Sequence, residues 1–229
     1  MKRQRSRISA PKSQFVSGLD QRQIVQAALG LLDDVGLNGL TMRNLAKKLG
    51  VKAASLYWHV HNKRDLLGLL ADEICAPMRE PDRTLPWRDQ LEMLGNEYRR
   101  VLLAHRDAAR VLASSGAPSG PHRLRLTEIV FRTLLDAGFD HRDAAYAGFL
   151  LNDYVTMFVL EETREMNAEA ENDSEDASSS VQDWVKALPL HEYPSVIALA
   201  DYLTEPDVEE RFRFGVEILA DGLEIRLSG

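Results

Sequence analysis

The chain has 229 residues, 45% of them apolar and 28% charged, with a net charge of −7. That is enough apolar material for a real core, and it excludes a disordered chain. No apolar run approaches the roughly 18 residues of a membrane-spanning helix, so a soluble, cytoplasmic protein is expected.

The basic start MKRQRSRISAPK is followed by no apolar stretch of the kind a signal peptide needs. Residues 1–18 hold Lys2, Arg3, Arg5, Arg7 and Lys12 without an acid, and read as a flexible basic arm. Charge then divides the whole chain. Residues 1–64 carry twelve Lys/Arg against three acids, whereas residues 65–229 carry sixteen against thirty-two. Such a split points to polyanion binding in front and a different task behind.

From Asp20 the pattern turns helical, with Ile24, Ala27, Ala28, Leu31 and Leu32 on one face and Gly36 as the stop. Thr41 is placed to cap a short second helix carrying Leu45, Ala46 and Leu49, which Gly50 closes. A third short helix is expected from Ala53 through Tyr57. Asn62, with Asp65 three residues on, is the expected cap of a fourth. Pro81 and Pro86 mark a break before a periodic stretch from Trp87 to His105. The Ser/Gly/Pro-rich run Ser114–Pro121 reads as a loop. Helices are expected at about His122–Ala137, His141–Arg164 and Asp207–Leu227. The acidic, polar segment 165–180 reads as a mobile loop. No strand pattern appears, so the fold class expected is all-α. The lone Cys75 allows no internal disulfide and no four-ligand zinc site.

The segment TMRNLAKKLGVKAASLYWHVH (41–61) has the form of a helix-turn-helix. Ala46 is small where two helices must approach, Gly50 turns the chain, and Val51 is expected to bury at the turn. The short side chains Ala53, Ala54 and Ser55 let a helix backbone approach a groove floor, while Tyr57, Trp58 and His59 can reach phosphates and thymine methyls. Lys63 adds a phosphate contact. Tyr57 and Trp58 also fit a core role, though the helix-turn-helix context favours DNA. His59 fits a phosphate contact or helix capping equally well. The arm residues Arg3, Arg5 and Arg7 suit minor-groove or phosphate contact.

These residues carry a family resemblance. The chain resembles the TetR-type transcriptional repressors, in the segment LGLLDDVGLNGLTMRNLAKKLGV and most strongly in LYWHVHNKRDLL (Leu56–Leu67). It continues in LLAHRDAARV (Leu102–Val111), Ala137–Phe139, VLEE (Val159–Glu162) and GLEIRL (Gly222–Leu227). Within the family the pattern is most like that of the tetracycline repressors. The resemblance implies an N-terminal DNA-binding domain (19–65) and a larger helical domain (66–229) for ligand binding and dimerisation. It also implies a homodimer through helices near 141–164 and 207–227, packed as a four-helix bundle. The operator-contact positions fall here on Arg43, Ala53, Ala54, Ser55, Tyr57, Trp58, His59 and Lys63. Arg43 is the candidate for a guanine, since its fork matches O6 and N7.

The implied ligand positions depart from the tetracycline repressors. Where those place a metal-binding histidine this chain has Leu112, and their neighbouring threonine becomes Ser115. Other drug-contacting positions become Arg79, Leu94, Tyr98 and Val130. An alkyl group cannot anchor a magnesium chelate, which needs oxygen or nitrogen ligands. The effector expected is therefore a small, largely apolar or aromatic molecule and not a magnesium–tetracycline complex. Its expected contacts are Arg79, Leu94, Tyr98, Leu112, Ser115, Val130, Tyr146, Phe149, Asp153, Tyr154, Met157 and Glu161. Arg79 and Glu161 also fit ordinary exposed helix ends, and the aromatic set also fits dimer and core packing.

The expected function is a ligand-responsive repressor of double-stranded operator DNA, with no cofactor or metal. Alternatives are an activator or architectural DNA binder without an effector, and a helical adaptor or carrier. An enzyme is not expected, because no nucleophile elbow, P-loop or HExxH occurs. His105 with Asp107 looks like a catalytic pair, but HRD opens a helix and reads as capping.

Overall fold

The computed structural model describes residues 19–171, 182–204 and 207–228. The basic arm, with Arg3, Arg5 and Arg7, lies outside those residues. All regular structure among the described residues is helical. The helices are α1 (Gln21–Gly39), α2 (Met42–Leu49), α3 (Ala53–Tyr57), α4 (Lys63–Cys75), α5 (Trp87–Leu103), α6 (Ala108–Ser114), α7 (Pro121–Asp136) and α8 (His141–Glu171). Two short helices, α9 (Pro194–Ala198) and α10 (Ala200–Thr204), precede α11 (Val208–Ser228).

Local chemistry sets the boundaries at the front. Asp20 and Gln23 form a reciprocal capping box at the start of α1. Gly36 breaks α1 with φ 67°, a conformation that strains any residue with a side chain. Thr41 Oγ1 accepts the Asn44 amide at 3.1 Å, and Asn62 Oδ1 accepts the Asp65 amide at 2.9 Å, so both expected caps are present. Gly50 is left-handed, and its N–H returns to the carbonyls of Ala46 and Lys47.

Helices α1 to α3 pack around Ile24, Leu32, Leu40, Leu45 and Leu56, all fully buried. The body is built by α5, α7 and α8, with α6 and α11 against them. Helix α4 belongs to both layers, since it packs on α1 and also on α5, α6 and α7. Its buried residues Leu66, Leu67, Leu70, Ala71 and Ile74 serve the two cores at once.

Four expectations need correcting. Helix α8 continues through Glu171 instead of ending near Arg164, so 165–171 is not loop; the rest of 165–180 lies outside the described residues. Ala, Glu and Met are good helix formers, and extending an existing helix needs no new nucleus. The Trp87–His105 helix stops at Leu103, with α6 following as a separate helix. Val51 is only partly buried. The helical stretch at 182–186 and helices α9 and α10 were not foreseen, being too short for a periodic signal.

Candidate nucleic-acid interface and ligand cavity

Helix α3 presents one face inward and the rest outward. Leu56 is fully buried and pins the helix to the head, while Ala53, Ala54, Ser55, Tyr57, Trp58 and His59 are exposed. Trp58 is 86% exposed, so it contributes nothing to the core and is free for an external contact. Arg43 lies exposed on α2, in company with Lys47, Lys48 and Lys52. Lys63 is exposed too, but its Nζ donates to the Leu37 carbonyl at 3.2 Å. Any phosphate would have to share that ammonium. His59 lies at the edge of a polar cleft between head and body, with Arg22, Arg64, Asp65, Asp72 and His122.

The head is clamped to the body where α1 breaks. Asp107 Oδ2 accepts the Leu37 amide at 2.7 Å, and Asp33 accepts from Arg106 N–H and His105 Nδ1, each at 3.1 Å. Arg110 reaches Asn38 Oδ1 at 3.2 Å. HRD is thus structural, though not as a cap. Asp107 sits left-handed at φ 58° and makes no side-chain cap to α6, its carboxylate serving α1 instead. Partial burial alone would raise its carboxyl, but the Leu37 amide and Arg110 hold it below the usual carboxylate range. Asp140 caps α8 by accepting the Asp143 amide at 2.8 Å.

Behind this clamp lies a cavity of about 730 Å³, bounded by α5, α6, α7 and α8 and the 115–120 loop. That is the size range of small-molecule pockets. Of the expected ligand residues, Leu94, Tyr98, Leu112, Val130, Phe149, Asp153 and Met157 line it. The Tyr98 hydroxyl donates to Asn152 Oδ1 at 3.1 Å and lies 3.2 Å from Thr156 Oγ1; burial raises its pKa, so it stays protonated.

The other five do not line the cavity. Arg79 is exposed and paired with Glu97. Ser115 borders the polar cleft, its hydroxyl donating to the Leu112 carbonyl at 2.8 Å. Tyr146 points outward, 64% exposed. Tyr154 packs on Phe158 and Phe212 and donates to the Phe212 carbonyl at 3.0 Å. Glu161 is exposed on a separate shallow groove of α8. Sequence reasoning missed Arg123, Leu124, Thr127, Phe131, Asn152 and Thr156, which do line the cavity. Those on α7 left no periodic sign, since wall and core positions share one helical repeat.

Cys75 is buried, and burial pushes its thiol up to about 12, so it is inert at neutral pH. A row of exposed apolar side chains runs along α8 (Tyr146, Phe149, Leu150, Met157) and α11 (Phe214, Ile218, Ile225). None of the helices among the described residues is long and apolar enough to cross a membrane.

Residues 24–70 match the bacterial regulatory proteins of the tetR family, and residues 80–227 match the tetracyclin repressor-like C-terminal domain. The chain belongs to the TetR family. It is 33% identical to the class A tetracycline repressor of Escherichia coli over 211 residues, 91% of this chain and 92% of that protein. It is 44% identical to an HTH-type transcriptional regulator of Saccharopolyspora erythraea over 138 residues, 60% of this chain and 58% of that one. Among solved structures, the TetR family protein ActR of Streptomyces coelicolor, in complex with actinorhodin, superposes with a TM-score of 0.82 at 35% identity. That match covers 91% of this chain and 96% of ActR. The protein is therefore a transcriptional regulator of this family.

Proposed function

We propose that this protein is a ligand-responsive repressor acting in the cytoplasm, binding a palindromic operator as a homodimer and released by a small, largely apolar or aromatic effector. The observation that carries this reading is that α4 is shared. It opens directly after the exposed recognition helix α3, and it packs on α6 and α7, which wall the cavity. A ligand that shifts α6 or the 115–120 loop shifts α4, and with it the spacing of two recognition helices. That spacing must match a DNA turn of roughly 34–36 Å. Release requires the ligand to favour the non-binding state, not merely to occupy the site.

Residues 19–65 form the DNA-reading head in this proposal and 66–229 the effector and dimer body. Arg43, Ala53, Ala54, Ser55, Tyr57, Trp58, His59 and Lys63 face the operator, with the basic arm assisting. The apolar row on α8 and α11 pairs with its copy. Leu112 in the cavity wall supports an effector other than a magnesium–tetracycline complex, because an alkyl group offers no ligand to a metal. ActR holds actinorhodin within a fold this chain shares, which supports a small-molecule effector.

Selection of bound duplexes from a random pool, at two salt concentrations, tests the reading. A two-fold palindrome and a steep salt slope are expected. No enrichment at low salt would overturn it.

A further inference from the structure

The cavity wall holds two charged side chains, and they are placed very differently. Asp153 is exposed at the rim, with Asn152 Nδ2 donating to it at 3.1 Å. Arg123, on the first turn of α7, is only 9% exposed. Its Nη1 donates to Ser115 Oγ at 3.0 Å and its Nη2 to the Gly116 carbonyl at 3.2 Å. Both partners are neutral. The nearby buried carboxylate, Asp72, accepts the Arg123 backbone N–H at 2.9 Å, and no ion pair to the guanidinium forms among the described residues. A guanidinium keeps its charge at any physiological pH and carries five N–H donors, of which these bonds use two. A buried cation with only neutral acceptors is poorly compensated for its lost hydration.

Building on the proposed effector cavity, we infer that the effector is an acid: an apolar ring body against Leu94, Leu112, Val130 and Phe131, with one carboxylate paired to Arg123. A carboxylate accepts two N–H bonds from a guanidinium side by side, with charge assistance that Ser115 and Gly116 cannot supply. The pairing also explains why an acid acts as the releasing signal. Ser115 and Gly116 open the 115–120 loop, which lies with α4 residues Asp65, Gly68 and Asp72 around the cleft between head and body. A ligand carboxylate that draws the guanidinium toward the cavity loosens that loop from Arg123, next to the helix that carries the head.

The test uses the full-length protein and N-phenyl-1-naphthylamine, a neutral dye that fluoresces in apolar cavities. Competitors are 2-naphthylacetate and its methyl ester, which differ in charge and by one methyl group. In the unmodified protein the acid should displace the dye at about one-tenth of the ester's concentration or less. Arg123→Met should abolish that preference for acid over ester, and Arg123→Lys should keep part of it. Thermal melts confirm that each variant folds. Ala113→Trp narrows the cavity from a wall position outside the buried core, and should weaken the dye by about tenfold. If Ala113→Trp leaves dye binding untouched, the cavity is not the ligand site and both readings fall. If it weakens the dye but acid and ester compete alike, or Arg123→Met keeps the acid preference, the carboxylate assignment alone is overturned.

Discussion

Replacing Arg99 by Met should cost the protein about 3–5 kcal/mol, because it strands a buried carboxylate. Arg99 on α5 grips Glu162 on α8 with two bonds, Nε to Oε2 at 2.9 Å and Nη2 to Oε1 at 2.7 Å, and both side chains are under a tenth exposed. The guanidinium also stacks over Phe212, 4.8 Å from the ring centroid, and near Phe158 at 5.7 Å. A third bond runs from Nη1 to Glu209 on α11 at 2.8 Å, but Glu209 is 78% exposed and water can replace its partner. The loss from Glu209→Gln should therefore stay under about 1 kcal/mol. A domain of this kind holds only about 5–15 kcal/mol in total, so Arg99→Met removes a large share of it. The double variant Arg99→Met with Glu162→Leu should recover most of the loss, since apolar replacement of a buried pair is often neutral. Urea unfolding at one fixed protein concentration measures all four proteins, concentration being held because the apparent stability of the proposed dimer would depend on it. A loss below about 1 kcal/mol for Arg99→Met, or a double variant no better than the single, would refute the reasoning.

Leu56→Ala and Trp58→Ala, two residues apart, should separate folding from DNA reading. The first empties a fully buried site and should cost about 2–5 kcal/mol in thermal or urea unfolding. The second should change stability by less than about 0.5 kcal/mol yet weaken a selected duplex by about fivefold to 150-fold in fluorescence anisotropy. Glu97 is held at about 2 by Arg79 and Arg100. A depressed carboxylate stabilises above its unfolded value of about 4.3 and ceases to as pH falls toward 2. Glu97→Gln should thus be slightly less stable at pH 7, by under about 1 kcal/mol for so exposed a cluster, with the gap closing between about pH 4.5 and pH 2 in urea midpoints. Ile225→Glu, at an apolar position 75% exposed on α11, should turn a dimer into a monomer in analytical ultracentrifugation; a variant that stays dimeric would remove α11 from the interface.

Much of the head was legible because its signals are short-range. Thr41, Gly50, Asn62 and the Ala53–Tyr57 spacing act within a turn or two of helix, and the structure repeats each of them. The exposure of Trp58 beside the burial of Leu56 follows from the same helical phase. Part of the cavity was legible too, through resemblance at Leu94, Tyr98, Leu112 and Val130. The rest required the fold. Whether Phe149 or Tyr146 faces the cavity depends on how α8 is rotated against α7, and both sit in one apolar pattern.

What the chain settles by itself is what neighbours in sequence can settle: an all-helical fold, the caps and glycine turns, the basic front, and the family. Tertiary packing alone decided that Asp107 serves the end of α1 across 70 residues and that Arg99 joins the buried Glu162 and the exposed Glu209 across three helices. It alone placed an Arg from the first turn of α7 in a cavity wall without a carboxylate partner among the described residues. Side-chain charge is written in the sequence, but its cost and its use depend on what lies within a few ångströms, and only the folded chain brings those groups together.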